Sequence, residues 1–546
     1  ECFERAALVA RTDRVDACPH QIESPSTPPD GSVPWIYAGT VSLSLAGGVF
    51  YLYLARVAPA AEIGAVAVLG AIATLVTVGI SLGLGTGFQH FVSFYRGRGD
   101  SSILRALLRA SLEMTAALSV AALAVTLVFA GELSALFFHD GRFTSLIQLL
   151  AIFSAFTATI GILQSVLVGL QRFVVLSAIS LVQSMVMYGS AVVFLTLWPG
   201  VESIILGWTL GAGVSVVLCL REVLRDVPQT GGPFRTSRHM LSQHGFYRSL
   251  FLYSIPVFVS GLIGTGAFYT DRLVLAYLVD LSSVGIYNYA ILVASASLLV
   301  VSPFGTVLVP RISALFARKE STAIRKVTRT SISLLVLVYV PVALGLAAIS
   351  PFFLGALVGP GYAAASLPLA ILLVLTAATI PYAVFGSLAA GTRRTSLLMK
   401  ASGLALLTNV VVSVILVPRT GMTGAALGNS AMTWVPFFVL YLGLRKTGLI
   451  QFDPRSLAGI WGSALTMVAS VAVPFAWLGY RPVLAPLFLM IGIVVFALML
   501  RFVRAVTSDM AAALVHALPR RGEFLRPAIA WFVAVDPTEP TPKGGP

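Results

Sequence analysis

An acidic and a basic residue stand side by side in an apolar stretch of the sequence, YTDRLVLAYLVDLSSVGIYNYA, as Asp271 and Arg272. Such a pair could bind a charged substrate or a coupling ion, and it could equally form an ion network that joins its helix to a neighbour. Successive residues of a helix point about 100° apart, so the two side chains cannot face each other fully. We therefore expect each of them to have a partner of its own.

Further polar residues fall in regions that are otherwise apolar. Asn409 is one of three asparagines in the chain and lies in LLTNVVVSV, and Thr433 follows in the next apolar stretch with Asn429 and Ser430. Amide and hydroxyl side chains at such positions commonly form hydrogen bonds between helices. Glu113, near the start of another apolar stretch, could either line a cavity or lie at an interface.

Arginines occur at matching positions of the two halves of the chain, as Arg172 in the first half and as Arg393 and Arg394 in the second. A guanidinium group offers a planar pair of donors that matches the oxygen atoms of a phosphate, so these residues could receive a diphosphate. The alternative is that they are ordinary basic residues at the cytoplasmic ends of membrane helices.

The composition indicates what kind of element carries these residues. Of the 546 residues, 57% are hydrophobic and 11% are charged, and the mean hydropathy is +0.92. These values lie far outside those of soluble globular domains. Charge-free windows long enough to cross a bilayer recur along the chain, and they lack the alternating pattern of a membrane barrel. The sequence therefore predicts an all-α polytopic membrane protein.

We count fourteen predicted transmembrane helices, of which the uncharged run 330–392 supplies two, divided near Pro351 and Gly359. The other twelve windows are 35–55, 63–89, 114–131, 143–171, 173–201, 203–220, 249–270, 281–310, 401–418, 420–444, 456–480 and 482–500.

Basic residues favour one side of the predicted membrane. The loops on one side carry 22 Lys and Arg residues, and those on the other side carry Arg56, Arg142, Arg419 and Arg481. By the positive-inside rule, both termini are predicted in the cytoplasm, in a multi-pass protein of the cell membrane. The net charge of +14 then reflects topology and attraction to anionic lipid rather than nucleic-acid binding.

The chain is predicted to contain a duplicated unit. A shift of 221 residues pairs Leu52 with Leu273 and Gly64 with Gly285, and nearly the same register holds over six helices. Six is an even number, so the two copies cross the membrane in the same direction and should enclose a central cavity. The predicted divisions are a mostly disordered cytoplasmic segment 1–32, six-helix lobes 33–221 and 249–447 joined by a cytoplasmic linker 222–248, two further helices in 456–504, and a cytoplasmic tail 505–546 that includes a short surface helix.

The sequence contains none of the motifs that we would expect of an enzyme. Its three cysteines and six histidines match no disulfide framework and no metal-binding spacing. The segment GLGTG at 83–87 follows no predicted strand, so we interpret its glycines as a bend or a point of close packing in the second helix, not as a nucleotide loop. The short outer loops argue against a membrane-embedded glycosyltransferase or polymerase. We predict no catalytic residue, no metal and no cofactor.

Two segments resemble a known family. In TDRLVLAYLVDLSSVGIYNYA an Asp-Arg pair is followed by an apolar run and a Val-Gly-x-Tyr turn, and AAEIGAVAVLGAIATLVTVGISLGLGTGFQHFVSFYRGRG (60–99) looks like the equivalent part of the first half. Both are similar to polysaccharide flippases of the Wzx type in the MOP superfamily, over about residues 33–504. The resemblance implies a V-shaped bundle of six, six and two helices. It also implies that a polyprenyl-diphosphate-linked oligosaccharide moves from the inner to the outer leaflet by alternating access.

The resemblance carries further expectations. Partners would be the polyprenyl-linked glycan, membrane lipid and proteins of glycan assembly, in the biosynthesis of a polysaccharide or a glycoprotein. In a related branch of the superfamily, helices 7, 11 and 12 enclose a sodium site, which would group Asp271 with Asn409 and Thr433. Coupling to Na⁺ or H⁺ therefore stays open. The closest alternative is a multidrug or cation antiporter of the same superfamily, although such proteins normally have twelve helices.

Overall fold

The computed structural model describes residues 32–138, 140–225, 246–478 and 485–517. In this part of the chain, α-helices joined by short turns account for most residues, with two short 3₁₀ segments, one π segment and no strand. The all-α prediction is confirmed. The predicted segment 1–32 lies outside the described residues except for Ser32, as do most of the linker 222–248 and much of the tail 505–546.

Eight helices form the first lobe. They are α1 (Ser32–Val57), α2 (Ala60–Ser81), α3 (Leu84–Gly97), α4 (Ser101–Val128), α5 (Ala130–Phe138), α6 (Phe143–Gly169), α7 (Phe173–Leu197) and α8 (Val201–Arg225). Leu82 and Gly83, with φ angles of 49° and 67°, interrupt the predicted second helix between α2 and α3. Positive φ angles cannot continue a right-handed helix. The glycine-rich segment therefore contains a break rather than a continuous helix.

Eight helices form the second lobe. They are α9 (Phe246–Leu278), α10 (Leu281–Ser297), α11 (Ser302–Ala317), α12 (Ser321–Phe353), α13 (Ser366–Thr379), α14 (Tyr382–Gly391), α15 (Thr395–Thr420) and α16 (Met422–Arg445). The uncharged run 330–392 turns at Gly359, which has a φ of 144° and lies between a π segment (Leu354–Val358) and a 3₁₀ segment (Pro360–Ala365). Three helices follow the second lobe: α17 (Pro454–Leu478), α18 (Ala485–Val503) and α19 (Ser508–Ala517).

The chain is a multi-pass membrane protein. Eleven helices in the described residues are long and apolar enough to cross a membrane. The first, eighth and fourteenth predicted spans correspond to shorter apolar segments, among them Leu45–Val57, Leu281–Ser297 and Leu487–Val503. The exact number of fourteen spans stays a prediction.

Local backbone geometry repeats between the two lobes. Gln171 and Arg393 occupy equivalent turns, and both have a left-handed φ, of 55° and 59°. The next residues, Arg172 and Arg394, precede α7 and α15 with dihedral angles that almost coincide, φ −88° and ψ 54° against φ −91° and ψ 48°. Left-handed backbone is uncommon for residues other than glycine. Its recurrence at one repeat position supports the predicted duplication.

The two lobes meet where α2 crosses α10. Gly64 of α2 and Gly285 of α10 are equivalent in the repeat, and their backbones pack directly against each other. A Cβ atom at Gly64 would overlap the carbonyl oxygen of Leu281 and would lie 3.0 Å from the backbone nitrogen of Gly285, and a Cβ atom at Gly285 would overlap the carbonyl oxygen of Ala60. Only glycine allows this approach. The crossing forms part of a large apolar core that runs through both lobes.

This crossing lies on the side of the membrane opposite to the start of α9. Since α9 is long and apolar enough to cross the membrane before α10 begins, Gly285 and the Gly64 packed against it lie near the far end of α9. On the near side, α3 packs against the first part of α9.

The C-terminal helices pack against the second lobe. α17 contacts both α18 and α12, and α19 folds back onto α12. Lys326 Nζ of α12 lies 2.8 Å from Asp509 Oδ1 of α19, and the Ser456 hydroxyl donates a hydrogen bond of 2.7 Å to the carbonyl oxygen of Ala505. The short helix predicted in the tail is confirmed.

Candidate functional site

Asp271 lies in the last third of α9 and is fully buried. Its Oδ2 atom accepts two hydrogen bonds, from the Tyr287 hydroxyl at 2.7 Å and from the Asn429 side-chain nitrogen at 3.0 Å. Tyr287 belongs to α10 and Asn429 to α16, so the carboxylate joins three helices of the second lobe. Its other oxygen, Oδ1, is buried without a hydrogen-bond partner among the described residues.

Arg272 faces the first lobe. Its guanidinium carbon lies 4.9 Å from the centroid of the Phe268 ring and 5.1 Å from that of Tyr269. At these distances an aromatic face attracts a cation. Tyr51 of α1 is close enough to interact electrostatically with Arg272, and the hydroxyl of Tyr269 lies 3.5 Å from that of Thr74 in α2. Arg272 therefore lies at the interface between the lobes.

The charge of Arg272 is not matched by a carboxylate in contact with it. Neither Asp271 nor Arg272 takes part in a salt bridge within the described ranges. The Arg272 side chain is 6% exposed, and its Nε atom has no hydrogen-bond partner in the same ranges. A guanidinium group that is held by aromatic rings and lacks a carboxylate partner is suited to receive an anionic group such as phosphate.

Asn409 is fully buried in α15 and makes one hydrogen bond to another helix and one within its own. Its side-chain nitrogen donates to the carbonyl oxygen of Ala267, one turn before Asp271 in α9, at 2.8 Å, and its oxygen accepts a bond from within α15. Thr433 of α16 donates to the carbonyl oxygen of Ser430 in its own helix at 3.0 Å. These contacts fit hydrogen bonding between and within helices. The hydrogen bonds of the described residues join neither side chain to Asp271, and a sodium site stays a proposal.

The arginines considered for a diphosphate lie at the other end of the lobes. Arg172 forms an ion pair with Glu222 of α8, with 3.2 Å between Nη1 and Oε2. Arg393 and Arg394 are exposed in the turn between α14 and α15, on the membrane side where α9 begins, whereas Asp271 lies near the end of α9. The structure therefore does not bring them together with Arg272.

Glu113 is half-buried in α4. This helix packs against α2, α3 and α6 of the first lobe, whereas the partners of Asp271 all belong to the second lobe. Glu113 is therefore not part of the group around Asp271.

Sequence reasoning missed Tyr287, which holds Asp271, and Tyr51, which lies beside Arg272, and it gave Asn429 too little weight. Tyr287 follows Asp271 by 16 residues in the same stretch, and the turn at 279–280 between them was the available signal. Asn429 was noted, but Thr433, one helical turn later, was preferred. Tyr51 is far away in sequence, and nothing in its own apolar stretch marks it out.

The described residues contain no cluster of the side chains that usually bind a metal ion. No set of three or more His, Cys, Asp or Glu side chains in these ranges could hold a metal ion. Cys219 is a buried free thiol, and Cys2 and Cys18 lie outside the described residues.

Comparison with known proteins gives a family and a fold. The sequence model of a family described as "Polysaccharide biosynthesis protein" matches residues 32–316 of the chain. A search of curated proteins found no match.

Solved structures share the fold at low sequence identity. The lipid II flippase MurJ in an inward closed conformation has a TM-score of 0.65 and 14% identity, over 85% of this chain and 97% of that one. An inward-facing multidrug resistance MATE family transporter of the MOP superfamily has a TM-score of 0.63 and 13% identity, over 74% of this chain and 95% of that one. A MOP superfamily transporter from Pyrococcus furiosus has a TM-score of 0.54 and 15% identity, over 77% of this chain and 95% of that one. The predicted superfamily fold is confirmed.

Proposed function

Because the chain belongs to the polysaccharide biosynthesis protein family, we propose that it moves a polyprenyl-diphosphate-linked oligosaccharide from the inner to the outer leaflet of the cell membrane, with both termini in the cytoplasm. The observation that carries this proposal is Arg272, a cation at the interface between the lobes that packs against the rings of Phe268 and Tyr269 and forms no salt bridge among the described residues. A diphosphate would supply oxygen atoms that accept hydrogen bonds from the guanidinium group. The tyrosines beside it offer ring faces and hydroxyl groups that suit a sugar.

Alternating access supplies the movement. The lobes are in contact on both sides, where α2 crosses α10 and where α3 packs against α9. We propose that separation of α3 from α9 admits the glycan from the cytoplasmic side while the contact between Gly64 and Gly285 keeps the other side closed. Separation of α2 from α10 would then open the site to the outside. The packed cores of the two lobes favour rigid-body rocking over deformation.

The polyprenyl chain would remain in lipid while the head group crosses. A cavity of about 440 Å³ between α12, α17 and α18 is lined by apolar side chains, among them Leu346, Phe352 and Phe496. We place the polyprenyl chain beside this cavity, because its branched hydrocarbon can pack against apolar side chains without desolvating a polar group.

The membrane potential is a sufficient source of energy for this direction. Each negative charge that leaves a cell with a negative interior gains about 2.3 kcal/mol per 100 mV, and a diphosphate carries about two such charges. Antiport of Na⁺ or H⁺ through Asp271 is a further part of the proposal. It is supported by the burial of this carboxylate and by its Oδ1 atom, which has no hydrogen-bond partner among the described residues.

A multidrug or cation antiporter is the second candidate, and the shared fold of the MATE transporters supports it. Arg272 argues against it, because a cationic substrate at the lobe interface would be repelled by the guanidinium group. The family match also points to polysaccharide biosynthesis. The fold shared with the MurJ flippase and the MATE transporters favours a transporter over a glycosyltransferase or polymerase. Proteins of glycan assembly are proposed as further partners.

Reconstitution separates the candidates. Purified protein is placed in vesicles that contain a fluorescent polyprenyl-diphosphate-linked oligosaccharide, and the fraction of glycan that a membrane-impermeant quencher reaches is followed over time. Parallel vesicles are tested for uptake of a fluorescent organic cation against a Na⁺ or H⁺ gradient. We expect glycan movement faster than in protein-free vesicles and no cation uptake. Cation uptake without glycan movement would establish the antiporter instead.

A further inference from the structure

A second cluster of basic residues lies in a cavity of the second lobe, away from Arg272. The cavity has a volume of about 450 Å³ and is lined by Ser321, Thr392, Arg394, Lys446 and Thr447, with two apolar residues. These residues come from the start of α12, the turn between α14 and α15, and the segment after α16. Its lining contains two cations and no acidic side chain.

The equivalent arginine of the first lobe shows what this cavity lacks. Arg172 and Arg394 have nearly the same backbone conformation before α7 and α15. Arg172 is paired with Glu222, whose second oxygen also binds Arg225 at 2.6 Å. The starts of α8 and α16 differ by 221 residues, and this register places Gly443 where the first lobe has Glu222. The carboxylate that pairs with Arg172 in the first lobe therefore has no counterpart in the second.

Arg394 and Lys446 have no acidic partner within the described residues. Neither takes part in a salt bridge there, and both side chains are exposed. Two cations that share one cavity repel each other unless an anion lies between them.

The start of α12 adds donors to the same cavity. In the first lobe, Asp100 caps α4, because its side chain accepts a hydrogen bond of 3.1 Å from the backbone N–H of Ile103. Glu320 precedes α12 at the corresponding point, but its side chain makes no such bond. The first turn of α12 thus has no side-chain cap. The N–H of Ser321, which lines the cavity, donates to the carbonyl oxygen of Lys319, so the next two N–H groups of this turn supply the donors. Uncapped N–H groups at a helix start favour an anion.

We propose that this cavity binds a phosphate group, held by Arg394, Lys446 and the first turn of α12. The hydroxyl groups of Thr392 and Thr447 already donate to Leu388 and Leu444 carbonyl oxygens, so the guanidinium, the ammonium and the helix start supply the donors. The phosphate belongs either to the head group of an anionic lipid in the adjacent leaflet or to a soluble phosphate compound. Basic pockets on this side of membrane proteins are suited to lipid head groups.

The test uses the full-length protein in detergent and does not depend on transport. Native mass spectrometry counts the phosphatidylglycerol and phosphatidylcholine molecules that the protein retains, and a separate arm measures the shift of Tm with inorganic pyrophosphate in the absence of added lipid. The variant is Arg394→Gln with Lys446→Gln. Its matched control is Lys400→Gln with Arg455→Gln, which removes the same charge from exposed positions outside the cavity.

We expect the wild-type protein and the control to retain one phosphatidylglycerol, or to bind pyrophosphate, at least about tenfold more tightly than the Arg394 and Lys446 variant, a loss of about 1.4 kcal/mol or more. Retention of the lipid alone assigns the site to a head group, and a pyrophosphate shift alone assigns it to a soluble compound. Equal loss in both variants would show attraction to net charge only and would overturn the proposal. Absence of binding by the wild-type protein in both arms would overturn it as well.

Discussion

Asp271 and Arg272 are adjacent in α9, but Asp271 is hydrogen-bonded to α10 and α16 of its own lobe, whereas Arg272 lies against Phe268 and Tyr269 at the interface with the other lobe. The two charged groups still interact electrostatically. Neighbouring side chains of a helix point about 100° apart, which is why Asp271 joins helices of its own lobe while Arg272 faces the other lobe.

Replacement of Asp271 by Asn tests whether its charge is used in coupling. We expect glycan movement in vesicles to fall by about tenfold or more under a Na⁺ or H⁺ gradient, with the protein still folded, because the amide oxygen can still accept the Tyr287 hydrogen bond. Tyr287→Phe is the control, since it removes the hydrogen bond and leaves the carboxylate. Unchanged movement in Asp271→Asn would remove this residue from the mechanism.

Replacement of Arg272 by Gln tests the proposed contact with a diphosphate. We expect glycan movement to fall by at least about tenfold, because truncation of one partner of a buried charge pair costs about 2–5 kcal/mol. Glycan movement by Arg272→Lys should lie between that of the wild type and that of Arg272→Gln, because lysine keeps the positive charge but lacks the planar guanidinium group.

Arg419→Gln is the matched control for this prediction, because it removes the same charge from an exposed residue on the same side of the membrane. If Arg419→Gln and Arg272→Gln have equal effects, net charge rather than a specific contact is responsible.

Replacement of Gly64 by Ala should open the lobes on the side where α2 crosses α10. A Cβ atom there overlaps the carbonyl oxygen of Leu281, and neither backbone can yield without separating the helices. Spin labels at Val57 and Val279, which are 50% and 42% exposed, report the opening as a longer distance in electron paramagnetic resonance. Gly79→Ala is the control, because a Cβ atom at this position of α2 meets nothing within 4 Å. The same distance distribution in Gly64→Ala and the wild type would contradict this prediction.

Replacement of Asn409 by Ala should reduce stability more than transport. The buried carbonyl oxygen of Ala267 loses its interhelical hydrogen bond, and such bonds in membrane proteins are worth about 0.6 to 1.7 kcal/mol. Unfolding in mixed micelles measures the change. Thr433→Val should cost less, because Thr433 bonds only within its own helix. A loss of Na⁺-dependent transport without a loss of stability would instead favour a role of Asn409 in ion binding.

The cap of α4 should give a pH-dependent contribution to stability. The backbone N–H of Ile103 and the hydroxyl of Ser102 hold the pKa of Asp100 below its ordinary value. A lowered pKa means that the stabilisation is complete above the pKa of the unfolded chain, about 3.9, and is lost as the pH falls through the folded value. The Tm difference between the wild type and Asp100→Ala should therefore be largest near pH 7 and shrink below about pH 4. A Tm difference that does not change with pH would contradict the assignment, and Glu320→Ala, which removes no cap bond, serves as the control.

Much of the fold follows from the sequence because a membrane helix satisfies its backbone polar groups with its own hydrogen bonds. Such a helix is therefore visible in the sequence as an uninterrupted apolar window. The duplication was visible as well, since Gly64 and Gly285 recur at one register. The break at Leu82 and Gly83 was harder to place. Glycine indicates a weak point in a helix, but it does not distinguish a bend from a complete interruption.

The site was predictable only in part. A charged pair in an apolar stretch is easy to recognise as a candidate site, because charged side chains are rare inside the membrane on account of their high free-energy cost. The partners of this pair are harder to recognise in the sequence. Tyr287 is an ordinary residue of an apolar helix, and the side-chain nitrogen of Asn429 lies 3.0 Å from Asp271 Oδ2 only because α16 packs against α9. One sequence contains no direct record of such contacts between distant segments.

The crossing of α2 and α10 joins a glycine to its own duplicate. In an ancestral dimer of identical six-helix chains, the same contact would have placed one glycine against its copy on the twofold axis, as in any isologous interface. Fusion of two such genes would have needed no new complementary surface at this point. After fusion the two glycines would be encoded separately, so a substitution at one of them would no longer change the other.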